Sequence, residues 1–313
     1  MLYIIICTIA VLLILLISGI AVFSYALKRN DKKCRYFYDR DYAKTLIEDE
    51  FLDMIVNGSE WIRDKEAEDV YIDSFDNLKL HARLIRPPSP KGSIILCHGY
   101  RSAGVNDFAG YAEYAYNCGY RLLIIDQRAS GKSEGRYIGM GVLERHDCNK
   151  WAWYMSNRFQ NEPLFLEGVS MGASTVLMAS GTDLPKNVRG IIADCGFTSP
   201  REEFAYIMKR DTHLPPYPYM HLIGFIIKLI AKFDYSYSAE DALRENKLPL
   251  LILHGQADKF VPHYMSEKNV SAAKDCDVKF ISVPNATHGK SYLVDMKRCQ
   301  ASMTDFLNKY TNV

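Results

Sequence analysis

PLFLEGVSMGASTVLMAS, residues 163–180, decides the fold. A short apolar run (163–167) is followed by Gly168-Val169-Ser170-Met171-Gly172 and then by a run of small and apolar residues. That order, a buried strand closing into a sharp turn that opens a helix, suits the pattern G-x-S-x-G. It projects a serine hydroxyl from a strained turn. Side chains at 168 and 172 would collide with the neighbouring strand and helix, so both positions call for glycine.

Working outward, the same grammar repeats on both sides. SIILC (93–97), RLLIID (121–126), VRGIIAD (188–194), PLLILH (249–254) and VKFISV (278–283) are short, nearly continuous apolar runs. Such runs suit strands of a parallel sheet buried on both faces. Helical spacing is expected near 105–118, 142–158, 171–181, 262–274 and 291–309. VYIDSFDNLKLHARLI (70–85) alternates about Asp76 and Asn77 as an antiparallel hairpin does. Strands alternating with helices over residues 68–313 indicate an α/β fold, a mostly parallel sheet with helices on both faces. Residues 198–240 break the rhythm with no strand-like run and read as a helical cap inserted between two strands.

A serine hydroxyl needs a positioned base and an orienting carboxylate to act as a nucleophile at neutral pH. In strand–turn–helix hydrolases the chain order is serine, acid, histidine, each on a loop after a strand. After PLLILH comes Gly255-Gln256-Ala257-Asp258, and after VKFISV comes Pro284-Asn285-Ala286-Thr287-His288. Asp258 and His288 are therefore the expected partners of Ser170. His81, His98, His146, His213, His221, His254 and His263 fail either the order or the loop position. Asp194, ending the strand after Ser170, is the competing carboxylate, whereas Asp126 precedes the serine and is read as structural. Two backbone N–H groups must face the developing oxyanion. Met171, after the nucleophile, supplies one, and Tyr100, in the loop after SIILC, the other. SGKS (130–133) lacks the glycine a phosphate loop needs at 126, where Asp126 stands, so nucleotide binding is not expected.

On HGY (98–100), DQRASGKSEG (126–135), GVSMG (168–172), LHGQAD (253–258) and ATHG (286–289), the chain resembles the α/β-hydrolase superfamily over about residues 68–313. In particular it is similar to bacterial membrane-anchored serine hydrolases akin to monoacylglycerol lipases and prolyl-aminopeptidase-like enzymes. Ala129 stands where the second segment commonly has glycine. The resemblance implies an eight-stranded sheet, a variable cap, and neither cofactor nor metal.

The N-terminus differs from the rest. Residues 2–27 carry no charge, and as a helix they would reach ~39 Å, enough to cross a ~30 Å hydrocarbon core. Nothing basic precedes the run and no small-x-small cleavage site follows it, so an uncleaved transmembrane anchor is expected over 1–27 rather than a signal peptide. Lys28, Arg29, Lys32, Lys33 and Arg35 follow it, which places the bulk of the chain on the cytoplasmic side of a cell membrane. Residues 28–67 then form a basic flank and a linker helix over 41–56, with Ala43, Ile47, Phe51, Met54 and Ile55 at helical spacing.

With 38 basic and 37 acidic side chains, the chain has no bulk positive charge for nucleic acid. Its eight cysteines are not spaced as a disulfide scaffold or a zinc site, so reduced thiols are expected. The expected function is cleavage of carboxylic esters through an acyl-enzyme on Ser170, with a lipophilic acyl or alcohol group suggested by the apolar insertion. An acyltransferase or peptidase using the same three side chains, and a non-catalytic membrane-tethered interaction module, are the alternatives. The sequence does not specify an oligomeric state.

Overall fold

Strands whose every residue is apolar must be covered on both sides, and the computed structural model shows how; it describes residues 1–30, 35–160 and 162–312. Eight strands form one sheet: β1 (Glu68–Asp73), β2 (Lys79–Ile85), β3 (Gly92–Cys97), β4 (Tyr120–Ile125), β5 (Leu164–Val169), β6 (Val188–Asp194), β7 (Leu250–Gly255) and β8 (Val278–Val283). Their spatial order is β1-β2-β4-β3-β5-β6-β7-β8. β1 pairs antiparallel with β2, and β2 with β4, while β4 through β8 are mutually parallel. Asn77 turns the first hairpin in the left-handed region, at φ 64°.

The strand period of two divides each run between two cores. Ile95, Cys97, Leu123, Ile125, Leu250 and Ile252 face one side of the sheet. There they meet α6 (Glu144–Arg158) and α7 (Met171–Ala179) through Trp151, Met155, Val176 and Leu177. Ile94, Leu96, Leu122, Ile124, Leu251 and Leu253 face the other side. Their cover is α3 (Asp49–Asp64), α5 (Ala112–Asn117) and α13 (Met296–Thr311), through Ile62, Ala112, Ala115, Met303 and Phe306. The remaining helices are α1 (Leu2–Leu27), α2 (Arg40–Ala43), α4 (Gly104–Asp107), α8 (Pro200–Thr212), α9 (Tyr219–Ile230), α10 (Ala239–Leu243), α11 (Tyr264–Ala272) and α12 (Ser291–Val294).

Three expected helices are cut differently. The one expected over 41–56 is two, α2 and α3, because the chain turns after Ala43 and resumes as a helix only at Asp49. Asp49 and Glu50 favour a helix start there by complementing its N-terminal dipole. The buried face of α3 includes Leu52, Ile55, Val56, Ser59 and Ile62, so the apolar stripe runs about two turns further than the expected one. The helix expected near 105–118 is α4 and α5, and that near 291–309 is interrupted at Asp295 into α12 and α13.

Among the described residues α1 is the one helix long and apolar enough to cross a membrane, and its first sixteen residues are exposed. Its other end buries one face. Phe23 and Leu27 are buried in the core, the Ile138 amide donates to the Leu27 carbonyl, and Lys28 bridges Tyr137. Arg29 donates from its guanidinium to the Gly131 and Ser133 carbonyls. Of the basic flank, Lys32 and Lys33 lie outside the described residues, as does Cys34. The other seven cysteines are free thiols.

Candidate active site

The loops at the C-terminal ends of β3, β5, β7 and β8 converge on Ser170. The serine sits between β5 and α7 at φ 56°, ψ −118°, a backbone conformation that side chains rarely adopt. Its neighbours make that turn possible. A Cβ on Gly172 would lie 1.8 Å from the Cys97 carbonyl oxygen, and one on Gly168 2.2 Å from the Gly172 carbonyl. β5 and α7 therefore close on each other and on β3 only because both positions are glycine. The Ser170 amide donates to the Asp194 carbonyl at 2.8 Å, which fixes the turn to the end of β6.

The structure brings Ser170, Asp258 and His288 together. His288 Nδ1 lies 2.7 Å from Asp258 Oδ2, and its Nε2 lies 2.9 Å from Ser170 Oγ. A carboxylate can only accept, so Nδ1 carries the proton and Nε2 is left to accept from the serine hydroxyl. Asp258 is held in turn: its Oδ1 accepts from the amides of Phe260 and Val261, at 2.8 and 3.0 Å. Burial pushes its carboxyl up, but hydrogen bonds from His254 and His288 outweigh burial and hold it down, at about 2. It is therefore ionised at neutral pH. The Phe260 ring packs against the imidazole with centroids 5.0 Å apart.

His254, which fails the order expected of the base, has a supporting position in the structure. It is fully buried, its Nε2 donates to the Val261 carbonyl at 3.0 Å, and the same nitrogen lies 3.3 Å from Asp258 Oδ2. Its place at the end of β7, four residues before Asp258, was the available signal. Asp194, the competing carboxylate, accepts from Ser291 Oγ at 2.8 Å; burial raises it to about 6. Glu203 of α8 is a further buried acid beside Asp258. Neither carboxyl oxygen has a partner among the described residues, and burial lifts it to about 8, so it is mostly neutral at pH 7. Asp126 accepts from His81 and from the Lys132 amide, ordering the 126–135 loop. In that loop Ala129 takes up a left-handed φ of 58° although it is not glycine.

The amides of Met171 and Tyr100 flank the serine, at the start of α7 and in the loop after β3. The Tyr100 side chain turns away, its hydroxyl donating to the Ala26 carbonyl of α1 at 2.5 Å. Arg101 donates to the carbonyls of Tyr25 and Lys28. Asp107 accepts from the Gly99 amide at 2.6 Å and from the Ser102 hydroxyl, securing the same loop from behind.

Ser170 opens into a cavity of about 430 Å³. Phe37, Leu46, Ile47 and Ile55 form one wall, with Val169, Phe260, Tyr292 and Leu293 among the others. No residue of 198–240 lines it, so the apolar insertion is not the cover expected over this cavity, and the segment between α1 and α3 supplies that wall; the insertion meets the other side of His288, where Arg210 lies over the Phe260 ring. Lys290, two residues from His288, pairs with Glu48 at the start of α3 and ties that segment down. Ligand atoms of Cys195, Asp258 and His288 lie within 4.8 Å of one another. Burial holds the Cys195 thiol well above its usual range.

The sequence model of the family described as Serine aminopeptidase, S33, matches residues 88–231, a stretch that holds Tyr100 and Ser170 but ends before Asp258 and His288. YqkD of Bacillus subtilis is 26% identical over 226 residues, 72% of this chain and 73% of that protein. The lysophosphatidylserine lipase ABHD12 of Danio rerio is 26% identical over 155 residues, 48% of this chain and 38% of that protein. Among solved structures, the esterase PF2001 of Pyrococcus furiosus superposes with a TM-score of 0.64 at 22% identity, covering 79% of this chain and 92% of that one.

Proposed function

We propose that this chain, which has the fold of the α/β hydrolases, uses the loops at the carboxyl edge of its sheet as the active site of a membrane-anchored serine hydrolase acting on carboxylic esters. The observation that carries the proposal is the continuous path Ser170 Oγ to His288 Nε2 to Asp258 Oδ2, at 2.9 Å and 2.7 Å, built on a turn that strains the serine outward.

In this reading Ser170 Oγ attacks the ester carbonyl while His288 Nε2 takes its proton. Asp258 holds the tautomer and stabilises the imidazolium. The Met171 and Tyr100 amides receive the developing oxyanion, for each is an N–H with no protein acceptor among the described residues. His288 then protonates the departing alkoxide. Water, activated by the same imidazole, hydrolyses the acyl-enzyme. The three-residue site falls in the domain we assign to residues 68–313, with 28–67 as a linker that adds the cavity wall. α1 is assigned as a bilayer anchor, and the basic residues after it favour a cytoplasmic domain.

The apolar walls of the cavity support a lipophilic acyl or alcohol group, and the likeness to a relative named as a lysophosphatidylserine lipase supports lipid esters as the class. The match to a family described as serine aminopeptidases favours peptide amides as the second reading. A fluorophosphonate probe and a panel of p-nitrophenyl esters, acylglycerols and peptide amides test both. We expect labelling and ester turnover that disappear in Ser170→Ala. Labelling retained in that variant refutes the site, and turnover of amides alone selects the peptidase.

A further inference from the structure

The apolar residues of 198–240 do not cover the cavity, and the structure shows where they go instead. α9 packs against α1. Tyr219 Oη lies 3.0 Å from Ser18 Oγ, and a Cβ on Gly19 would come within 2.6 Å of Ile226 and 3.5 Å of Leu222. Gly19 thus lets the two helices approach as small residues do between membrane helices. Met220, Ile223, Ile226 and Ile227 use the inner side of α9. The outer side keeps Phe225 63% and Leu229 66% exposed, one turn apart, with Lys228 between them. α9 has twelve residues, about 18 Å, too short to cross a bilayer.

We propose that the outer face of α9 is a lipid-docking surface, lying in the membrane interface beside α1. This rests on the reading of α1 as a bilayer anchor. Depth supports it. Residues 2–17 of α1 are exposed, and Ser18 and Gly19 meet α9, so the bare stretch is about 24 Å, some 6 Å short of a ~30 Å hydrocarbon core. The turn of α1 that completes the span is the one α9 packs on. The first contact therefore falls about 6 Å inside the boundary, a depth usual for interfacial helices, which bury ~5–10 Å. Phe225 and Leu229 then enter acyl chains, and Lys228 extends its ammonium outward to the headgroups. The same end of α1 holds Tyr100 and Arg101, so the oxyanion loop lies close to the lipid surface from which an ester would arrive.

The test reconstitutes the full chain into phosphatidylcholine–phosphatidylglycerol vesicles with brominated acyl chains. Tryptophan is placed at Phe225→Trp or Leu229→Trp, and at Ile14→Trp within α1, and each is read as the emission added to the parent's. We expect blue-shifted emission at 225 and 229 that brominated chains quench, as at 14. Quenching at 14 with none at 225 or 229 overturns the docking surface and leaves the anchor standing; quenching at none of the three overturns both. A chain-concentration-dependent blue shift at 225 or 229 without bromine quenching means that a second copy covers the face, and also overturns the proposal. Independently of depth, Phe225→Asp/Leu229→Asp should lower turnover of a vesicle-borne ester about tenfold or more while turnover of a soluble short-chain ester stays unchanged. Equal turnover of the vesicle-borne ester by variant and parent refutes the surface. Loss of soluble turnover in the parent itself refutes only the hydrolase reading.

Discussion

Asp258→Asn isolates the part of the site that depends on proton placement. Asparagine fits the same space, and its Oδ1 can keep accepting from the Phe260 and Val261 amides, so the loop holds its shape. What changes is the atom facing His288 Nδ1 at 2.7 Å: an acceptor becomes an N–H donor. The imidazole answers by accepting at Nδ1, which moves its proton to Nε2, opposite Ser170 Oγ at 2.9 Å. Nε2 then donates to the serine oxygen and has no lone pair left to take its proton. The expected loss in kcat is about 10⁴-fold, or about 5.5 kcal/mol of transition-state stabilisation, with KM little changed because no substrate contact is removed.

Stability should respond separately and with pH. Asp258 is held at about 2 against an ordinary 3.8, a difference worth about 2–3 kcal/mol for so buried a group. A depressed carboxylate stabilises the fold above its unfolded pKa, and that contribution fades as pH falls from about 4 to 2. Asp258→Asn should therefore melt several degrees below the parent at pH 7, and the gap should close toward pH 2. The assay is p-nitrophenyl butyrate hydrolysis over a concentration series, with near-ultraviolet circular dichroism to show that the variant is folded. A folded Asp258→Asn retaining kcat within tenfold of the parent would refute the carboxylate assignment and turn attention to Asp194.

Two further substitutions probe the scaffold. Gly172→Ala sets a methyl 1.8 Å from the Cys97 carbonyl oxygen and 2.5 Å from its carbon, backbone that cannot rotate away, so it should destabilise by about 3 kcal/mol or more; a melting temperature equal to the parent's contradicts the packing described. Asp194→Asn acts in the opposite direction: burial raises that carboxyl from 3.8 to about 6, so folding with it ionised costs about 3 kcal/mol above pH 6. The native state holds the extra proton, so the penalty grows as pH rises from about 4 to 6. The variant should melt higher than the parent at pH 8 and equally near pH 3, and no pH dependence in that difference speaks against a buried ionised Asp194.

The parts of this protein that could be read from its sequence are those with a local cause. A strand buried on both faces must be apolar throughout, so 93–97, 121–126 and 249–254 declare themselves. A serine forced outward between β5 and α7 requires glycines at 168 and 172, and loops after β7 and β8 place Asp258 and His288 on the same edge of the sheet. The break between α2 and α3 was not legible, because apolar spacing continues through the turn at 44–48 and only the acidic start at Asp49 marks it. Nor was the covering of the cavity. The insertion's Ile, Leu and Phe residues announce that faces must be hidden, but hydropathy is silent on what hides them, and the same residues serve a lid over a site as well as a helix packed on α1. The tie from Tyr100 to Ala26 joins positions 74 residues apart, through one hydroxyl and one carbonyl that every tyrosine and every residue possess. Such a contact has no signature of its own, for it arises only after β3 and α1 have each been placed by their own cores. Yet it joins the loop after β3 to the apolar N-terminal helix, which makes the order of inference physical: burial patterns position the elements, and the position of the elements then decides which ordinary polar groups meet.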